Sequence, residues 1–413
     1  WRSRCSCDVT KPPSGRARAP RAMCKKWPCR TLLVARCAVG AARPLSVGAP
    51  GPLGVGASGP LGAFKTPVSG LDAVPPPPPS PLRLALRWLG VSASLEISPA
   101  MAPQLLELLE ARGHVVDERT DERREKRTVF VNWLGHDAAH AEFVCAAVKL
   151  LHSRGLDAVP HVPASSLKTA QIAKAVLSAL QDAGAMTVLC LGGNQPVADA
   201  GGAVGDVCTA SDVAAVCVRL GLKVAFAGFP EGHPSKLDGV ELLKNKIAAL
   251  LPGIDAAGAH ATKTAIVTQF SFNPAAVSNF LDAAPSSGAV FVGVAGPALP
   301  GVLAKFAQLC HVGPSKLLAD AANDDATNAA EKSEAAAWRF SAGGPGAVRP
   351  TAAVLELAAY VVRRTATPAE SDGGIRLHMY PFGGVDATLA LLEDLATGKW
   401  PTDAEIAEEP LCN

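Results

Sequence analysis

Several polar side chains interrupt otherwise apolar runs of this 413-residue chain at places where chemistry could be done. Glu96 lies in SLEIS between Leu95 and Ile97, so in an extended segment it points away from them, on the side shared by Ser94 and Ser98. An acid inside a closed sheet is costly unless paired or used, and burial would raise its pKa toward the range of a general acid. A rim glutamate facing water has the same sequence, so both readings stand. His161 follows Pro160 at the end of an apolar run, where a satisfied structural histidine is the simpler reading. Gln269 sits inside IVTQFSF, where an unpaired amide would cost on the order of 1–3 kcal/mol, so it must find a partner in a ligand or in backbone. Gly192 and Gly193 permit close approach of a phosphate or a ring, and equally a tight turn. Glu231 and His233 form E-G-H with no second histidine at helical spacing, a poor zinc pattern, so no metal is expected.

The elements that must hold these groups share one construction. In KVAFAGFPEGHP, from Lys223 to Pro234, an apolar run ends in a loop where Phe229 and His233 each precede a proline and are pushed toward extended geometry. VPHVPA, LCLGGNQP and IVTQFSF repeat the pattern of a buried strand delivering a stiff polar loop. Parallel α/β barrels build their sites this way, on the loops after the carboxyl ends of the strands. SLEIS, VFVNWLG, DAVPHV, MTVLCLGG, KVAFAGF, AIVTQFSF, AVFVGVAG and IRLHMYPF make eight strand candidates, mostly separated by segments of helical spacing such as AHAEFVCAAVKLLHSRG. Their continuous apolar cores match a parallel sheet covered on both faces, and their number favours a (β/α)8 TIM barrel, of class α/β, over an open doubly wound sheet. The interval from Gly313 to Gly374 adds extra helices before the last strand, TAAVLELAAYVVRR being the clearest.

Composition separates the ends from this body. The first 80 residues hold 12 Lys or Arg against only Asp8 and Asp72, which leaves 27 basic and 35 acidic residues beyond them. The body is thus about eight charges negative, and nucleic-acid binding is not indicated. Residues 1–43 read as an organelle transit segment, with a disordered basic arm as the alternative. The expected location is the mitochondrial matrix, or a plastid, or the cytoplasm if the leader has no targeting role. Residues 44–89 read as a Gly/Pro-rich linker that includes VPPPPPSP, 90–400 as the barrel and 401–413 as a tail. The G-x-G-x-x-G at Gly54, Gly56 and Gly59 has no strand before it and no helix after it, so it is a chance match. Five of the 11 cysteines (Cys5, Cys7, Cys24, Cys29 and Cys37) lie in the leader; the rest are scattered singly, as reduced core cysteines are. No uninterrupted apolar run reaches the roughly 18 residues of a membrane span, so no membrane partner is expected. A homo-oligomer is left open.

In order, SLEISP, VFVNW, VPHVPA, LGGNQP, AGFPEGHP, VTQFSF, GVAGP and LHMYPFGG resemble the methylenetetrahydrofolate reductase family over roughly Ser94 to Gly398. AGFPEGHP followed about 35 residues later by VTQFSF is the specific pair. LGGNQP, GVAGP and LHMYPFGG are closer to a divergent bacterial-type branch. The resemblance implies a (β/α)8 barrel with FAD at its carboxyl end, reduced by NADH or NADPH, and hydride transfer to the folate substrate 5,10-methylenetetrahydrofolate to give 5-methyltetrahydrofolate. By the same resemblance Glu96 matches the acid that helps open the folate's five-membered ring, Gln269 the amide that holds the pterin, and Tyr380 an aromatic substrate contact on the last strand. His161 and His233 match flavin-contacting histidines, Lys246 a basic flavin contact, and Ala210 and Ser211 a small pair near the flavin phosphates; Asn132 stands where a threonine is usual.

The chain also departs from that pattern. In the L-R-G-D position the arginine is replaced by Gly192 and, beyond Gly193, the acid by Asn194, which keeps hydrogen bonding near the flavin but not the charge. Phe229 replaces a tyrosine of the flavin site, and Pro381, Phe382, Gly383 and Gly384 replace T-L-N-R. No aromatic after GVAGP stands out as a stacking partner. Three functions are therefore expected to compete: the flavin-dependent reductase, a folate- or flavin-binding barrel in another one-carbon transfer such as tetrahydrofolate-dependent demethylation, and a non-catalytic subunit.

Overall fold

Eight short strands, β1 (Ser94–Ile97), β2 (Thr128–Val131), β3 (Asp157–Pro163), β4 (Thr187–Leu191), β5 (Lys223–Gly228), β6 (Ala265–Thr268), β7 (Val290–Ala295) and β10 (Ile375–Tyr380), close into a parallel barrel. The structure is a computed structural model that describes residues 79–113, 127–135, 137–192, 209–233, 238–250, 264–285, 288–313, 341–342, 348–364 and 374–408. Between β7 and β10, β8 (Ser341–Ala342) and β9 (Val348–Arg349) form a separate antiparallel pair. The expected (β/α)8 barrel is thus the observed fold, and each of the eight expected apolar runs supplies one barrel strand. The expected leader, most of the expected linker, Gly193 and Asn194 lie outside the described residues.

Alternation along the strands sets what fills the barrel. Phe130, Val159, Leu189, Ala225, Val267 and Phe291 point inward from six consecutive strands and form a closed apolar plug. Residues two positions further along have the same parity and stand above that plug, toward the carboxyl ends of the strands. Register ties the layers together: Glu96 pairs with Phe130, Phe130 with Val159, His161 with Leu189, and Ser94 with His378 across the closing seam.

Helices cover the outside. They comprise α1 (Pro81–Val91), α2 (Ala102–Ala111), α3 (Ala141–His152), α4 (Ala164–Leu167), α5 (Ala170–Asp182), α6 (Ala210–Arg219), α7 (Gly239–Ala248) and α8 (Pro274–Ala283). After them come α9 (Pro300–Leu309), α10 (Thr351–Arg364), α11 (Val385–Thr397) and α12 (Asp403–Glu408). Their starts carry readable caps: Ser80, Thr169, Asp238 and Asn273 each accept a first-turn amide, and Thr209 with Asp212 makes a reciprocal capping box.

Three boundaries differ from the sequence reading. α1 begins inside the expected linker, because Ser80 caps it and Ala85, Leu86 and Leu89 bury its inner face against α10 and α11; the residues packed with the barrel thus include some ahead of residue 90. The expected tail contains α12, tied back when Arg83 of α1 donates to the Pro401 carbonyl and pairs with Asp403. β6 ends at Thr268, so Gln269 lies just beyond the strand rather than within it, although its N–H still bonds the Gly228 carbonyl at 2.9 Å. The expected extra helix before the last strand is α10, buried at every position from Thr351 to Val361.

Candidate active site

Glu96 occupies the carboxyl end of β1 with its side chain only 14% exposed, and two imidazoles approach the same oxygen. His161 Nε2 from β3 and His378 Nε2 from β10 each lie 3.6 Å from Glu96 Oε2, and neither nitrogen has a closer hydrogen-bond partner. Behind His378, Ser94 Oγ lies 2.9 Å from Nδ1. The His378 ring stands edge-on to Phe130 at 4.7 Å and to Tyr380 at 4.8 Å, so the plug below and the tyrosine above fix its plane. Burial pushes the Glu96 carboxyl upward, but His161, His378 and Asn132 outweigh it and hold its pKa below the ordinary carboxylate value. That corrects the expectation of a raised acid: burial is present, but its partners win. Burial draws His161 downward despite the carboxylate beside it, so it gives up its proton more readily than a free imidazole.

Across the mouth, Gln269 bends back so that its Oε1 accepts from the Phe270 N–H at 3.1 Å. The partner required from the sequence is thus backbone. Cys310, at the end of α9, hydrogen-bonds Gln269 and also feels the charge of Glu96; burial and that charge push its thiol up to about 11. Glu96 and Gln269 therefore belong to one end of the barrel. Tyr380 donates to the Thr268 carbonyl at 3.0 Å, and burial, then Glu96 and Cys310, raise its phenol well above the ordinary value. Gly293 makes room for this: a Cβ there would meet the Thr268 carbonyl at 2.4 Å and the Tyr380 ring at 2.8 Å. Phe306 of α9 stacks on Phe382 at 4.1 Å, and Phe382 lies 5.7 Å from Tyr380 at 22°. The first aromatic after GVAGP is Phe306, nine residues beyond Pro297 on α9, where helical spacing hid it among core positions.

A second group sits at the end of β5. His233 stands edge-on to Phe229 at 4.7 Å, and Lys246 from α7 lies 5.6 Å over the same ring. Burial pulls the Lys246 ammonium down to about 8, with Cys190 opposing it, and burial and Lys246 together lower His233. Ala210 and Ser211 open α6, in the first turn, where backbone amides have no intrahelical acceptor. Gly192 follows β4, and among the described residues no atom lies within 4 Å of where its Cβ would be, so no packing seen there demands glycine.

Glu231, read as an unpromising metal ligand, has a different task. Its Oε1 accepts from Ser271 Oγ at 2.6 Å and the Phe272 N–H at 3.2 Å, and its Oε2 accepts from the Gly313 N–H at 2.8 Å. One carboxylate thereby joins the loops after β5 and β6 to the chain leaving α9. The structure brings Glu96, Asn132, His161, Gln269 and Tyr380 to one mouth, and Phe229, His233 and Lys246 into a neighbouring group. In the sequence Ser94 stood out only as sharing a side with Glu96, and His378 was not singled out. Their signal was parity: Ser94 shares a face with Glu96, and His378 is two residues before Tyr380.

A protein-family model described as methylenetetrahydrofolate reductase matches residues 110–337, more than half of the chain. Glu96 and Tyr380 stand outside the matched span. Among solved structures, the chain is similar to a phosphonopyruvate hydrolase, at 15% identity over 58% of this chain and 76% of that one, with a TM-score of 0.28. It is also similar to triosephosphate isomerase from Bartonella henselae, at 14% identity over 57% of this chain and 100% of that one, with a TM-score of 0.27. Likenesses at this level carry nothing about activity.

Proposed function

The chain belongs to the methylenetetrahydrofolate reductase family, and from that premise we propose that it reduces 5,10-methylenetetrahydrofolate to 5-methyltetrahydrofolate with NADH or NADPH as reductant and FAD as carrier. The observation that carries this reading is the Glu96 carboxyl, buried among Asn132, His161 and His378 at the same barrel mouth as Gln269. The mouth formed by the βα loops is where barrel enzymes build their sites.

The residues present fit a flat-ringed cofactor with phosphates. Lys246 and the first-turn amides of α6 at Ala210 and Ser211 would hold the pyrophosphate, and His161, Phe229 and His233 would border the ring. A flavin, when bound, supplies two-electron storage between nicotinamide and folate. Glu96 delivers a proton from Oε2 to the ring nitrogen of the folate that leaves as the five-membered ring opens. Gln269 then orients the pterin through its amide, and Tyr380 borders the substrate. Phe306, Phe382 and Tyr380 offer ring faces that exclude water from the reacting carbon.

An absorption spectrum of the full chain tests the proposal. A yellow protein that bleaches with NADH or NADPH, and regains its colour with 5,10-methylenetetrahydrofolate, is the expected result. A protein that is colourless after incubation with FAD while its barrel is intact by circular dichroism rejects it.

A further inference from the structure

The reaction proposed for this site asks Glu96 to donate a proton, yet its neighbours hold that carboxyl ionised at rest. The proton must come from a group in reach of the carboxylate. Those that face it are His161 from β3, His378 and Tyr380 from β10, and Cys310 from the end of α9, with Asn132 the uncharged neighbour. Tyr380 and Cys310 grip their protons more tightly than usual, which makes them poor donors. Burial makes His161 keep a second proton less well than a free imidazole.

His378 differs in what stands behind it. Ser94 Oγ is 2.9 Å from His378 Nδ1 and 3.4 Å from the Leu377 carbonyl. A hydroxyl both donates and accepts. When Nδ1 is bare, Ser94 donates to it and Nε2–H faces Glu96. When Nδ1 carries a proton it donates to Ser94, which passes its own hydrogen toward Leu377. Nε2 is then free either to keep a second proton or to accept one from a protonated Glu96. No placement of the proton orphans Nδ1, so moving it incurs no desolvation penalty on that side. Ser94 and His378 are both fully buried, so the contact with Glu96 is the way out toward the mouth.

We propose that His378 is the positioning residue of Glu96 and its proton store: backed by Ser94, the doubly protonated ring hands its Nε2 proton to the carboxyl, stays neutral with a proton on Nδ1, and is reloaded through Glu96 by a proton that enters from the mouth. The inference rests on the reading of Glu96 as the proton donor. In the transfer the Nε2–H bond of the ring that carries protons on both nitrogens breaks and an O–H bond forms at Glu96 Oε2; the electron pair of the old bond stays on Nε2, the ring is left neutral with Nδ1–H donating to Ser94, and nothing is oxidised or reduced. The 3.6 Å gap must close to about 2.7–2.9 Å, an adjustment expected when a ligand fills the mouth.

Nitrogen-15 NMR of the full chain with labelled histidine tests this without folate, flavin or nicotinamide. In Glu96→Gln, which keeps the shape and removes the charge, the His378 Nε2 resonance is expected to move as its charged partner is lost. In Ser94→Ala, the Nδ1 resonance is expected to move as its partner is lost, while the other histidines stay in place. An unmoved Nε2 in Glu96→Gln overturns the proposal, and so does an unmoved Nδ1 in Ser94→Ala; either variant decides alone if the other fails to fold. Uncoupled histidines in a protein that still reduces folate would sink only the proton store, whereas a failed colour test with coupled histidines would sink only the reductase.

Discussion

Lys246 is the side chain whose charge state is most open to ligand control. Its ammonium titrates at about 8 because burial outweighs the attraction of Cys190. An anion placed against it would raise that value, so binding near pH 8 must be accompanied by proton uptake. The sign follows: affinity for a phosphate-bearing cofactor is full below about pH 8 and is lost as pH rises through it. Calorimetric titration with FAD should show this decline in the wild type. In Lys246→Arg, whose guanidinium stays charged, the decline should disappear. A flat profile in both proteins would remove Lys246 from the cofactor site.

Elements at the mouth are held in place by polar brackets more than by apolar packing. Glu231 joins three segments with a side chain that belongs to an exposed residue. Glu231→Ala removes three charge-assisted hydrogen bonds, and after discounting for solvent the loss in stability is about 1–2 kcal/mol. The larger expected effect is functional: with the loops after β5 and β6 uncoupled, Gln269 and the Phe229 group lose their common anchor and the folate KM should rise. Thermal melts and steady-state kinetics check the two parts separately; an unchanged KM would leave the bracket with a purely structural role. Gly383 is a bracket of another kind, since a Cβ there would lie 1.9 Å from the Pro297 carbonyl. The turn after β10 therefore packs directly on backbone after β7, where a longer T-L-N-R side-chain set would need a different path.

For the whole molecule, closure is the organising fact. α1 precedes the first strand, yet it packs on α10 and α11, the helices that flank the last one. It clamps the seam where β1 meets β10, the seam that also juxtaposes Ser94, Glu96 and His378. A chain cut to start at residue 92 loses the burial of Leu86 and Leu89, roughly 3–6 kcal/mol at about 1.5–3 kcal/mol for each side chain. A chain starting at residue 79 keeps the clamp. The first is expected to melt at markedly lower temperature than the second, and equal melting temperatures would show that the seam closes without α1. Among the described residues no helix is long and apolar enough to cross a membrane.

The amino-acid sequence alone determined the eight apolar runs, the placement of Glu96 on the face opposite Leu95 and Ile97, and the stiff loops that follow the strands. Those properties are local: strand parity and proline geometry depend only on nearest neighbours along the chain. Which groups meet is not local. The pairing of Ser94 with His378 joins residues 284 positions apart, and it arises only because the sheet closes with one register. The raised acid expected at Glu96 failed for the same reason, since burial can be guessed from a run of apolar neighbours but partners arriving from β3 and β10 cannot. Gln269 found its partner one residue away, and Glu231 found its partners across two loops, because backbone amides at strand ends take whichever acceptor the folded mouth brings to them.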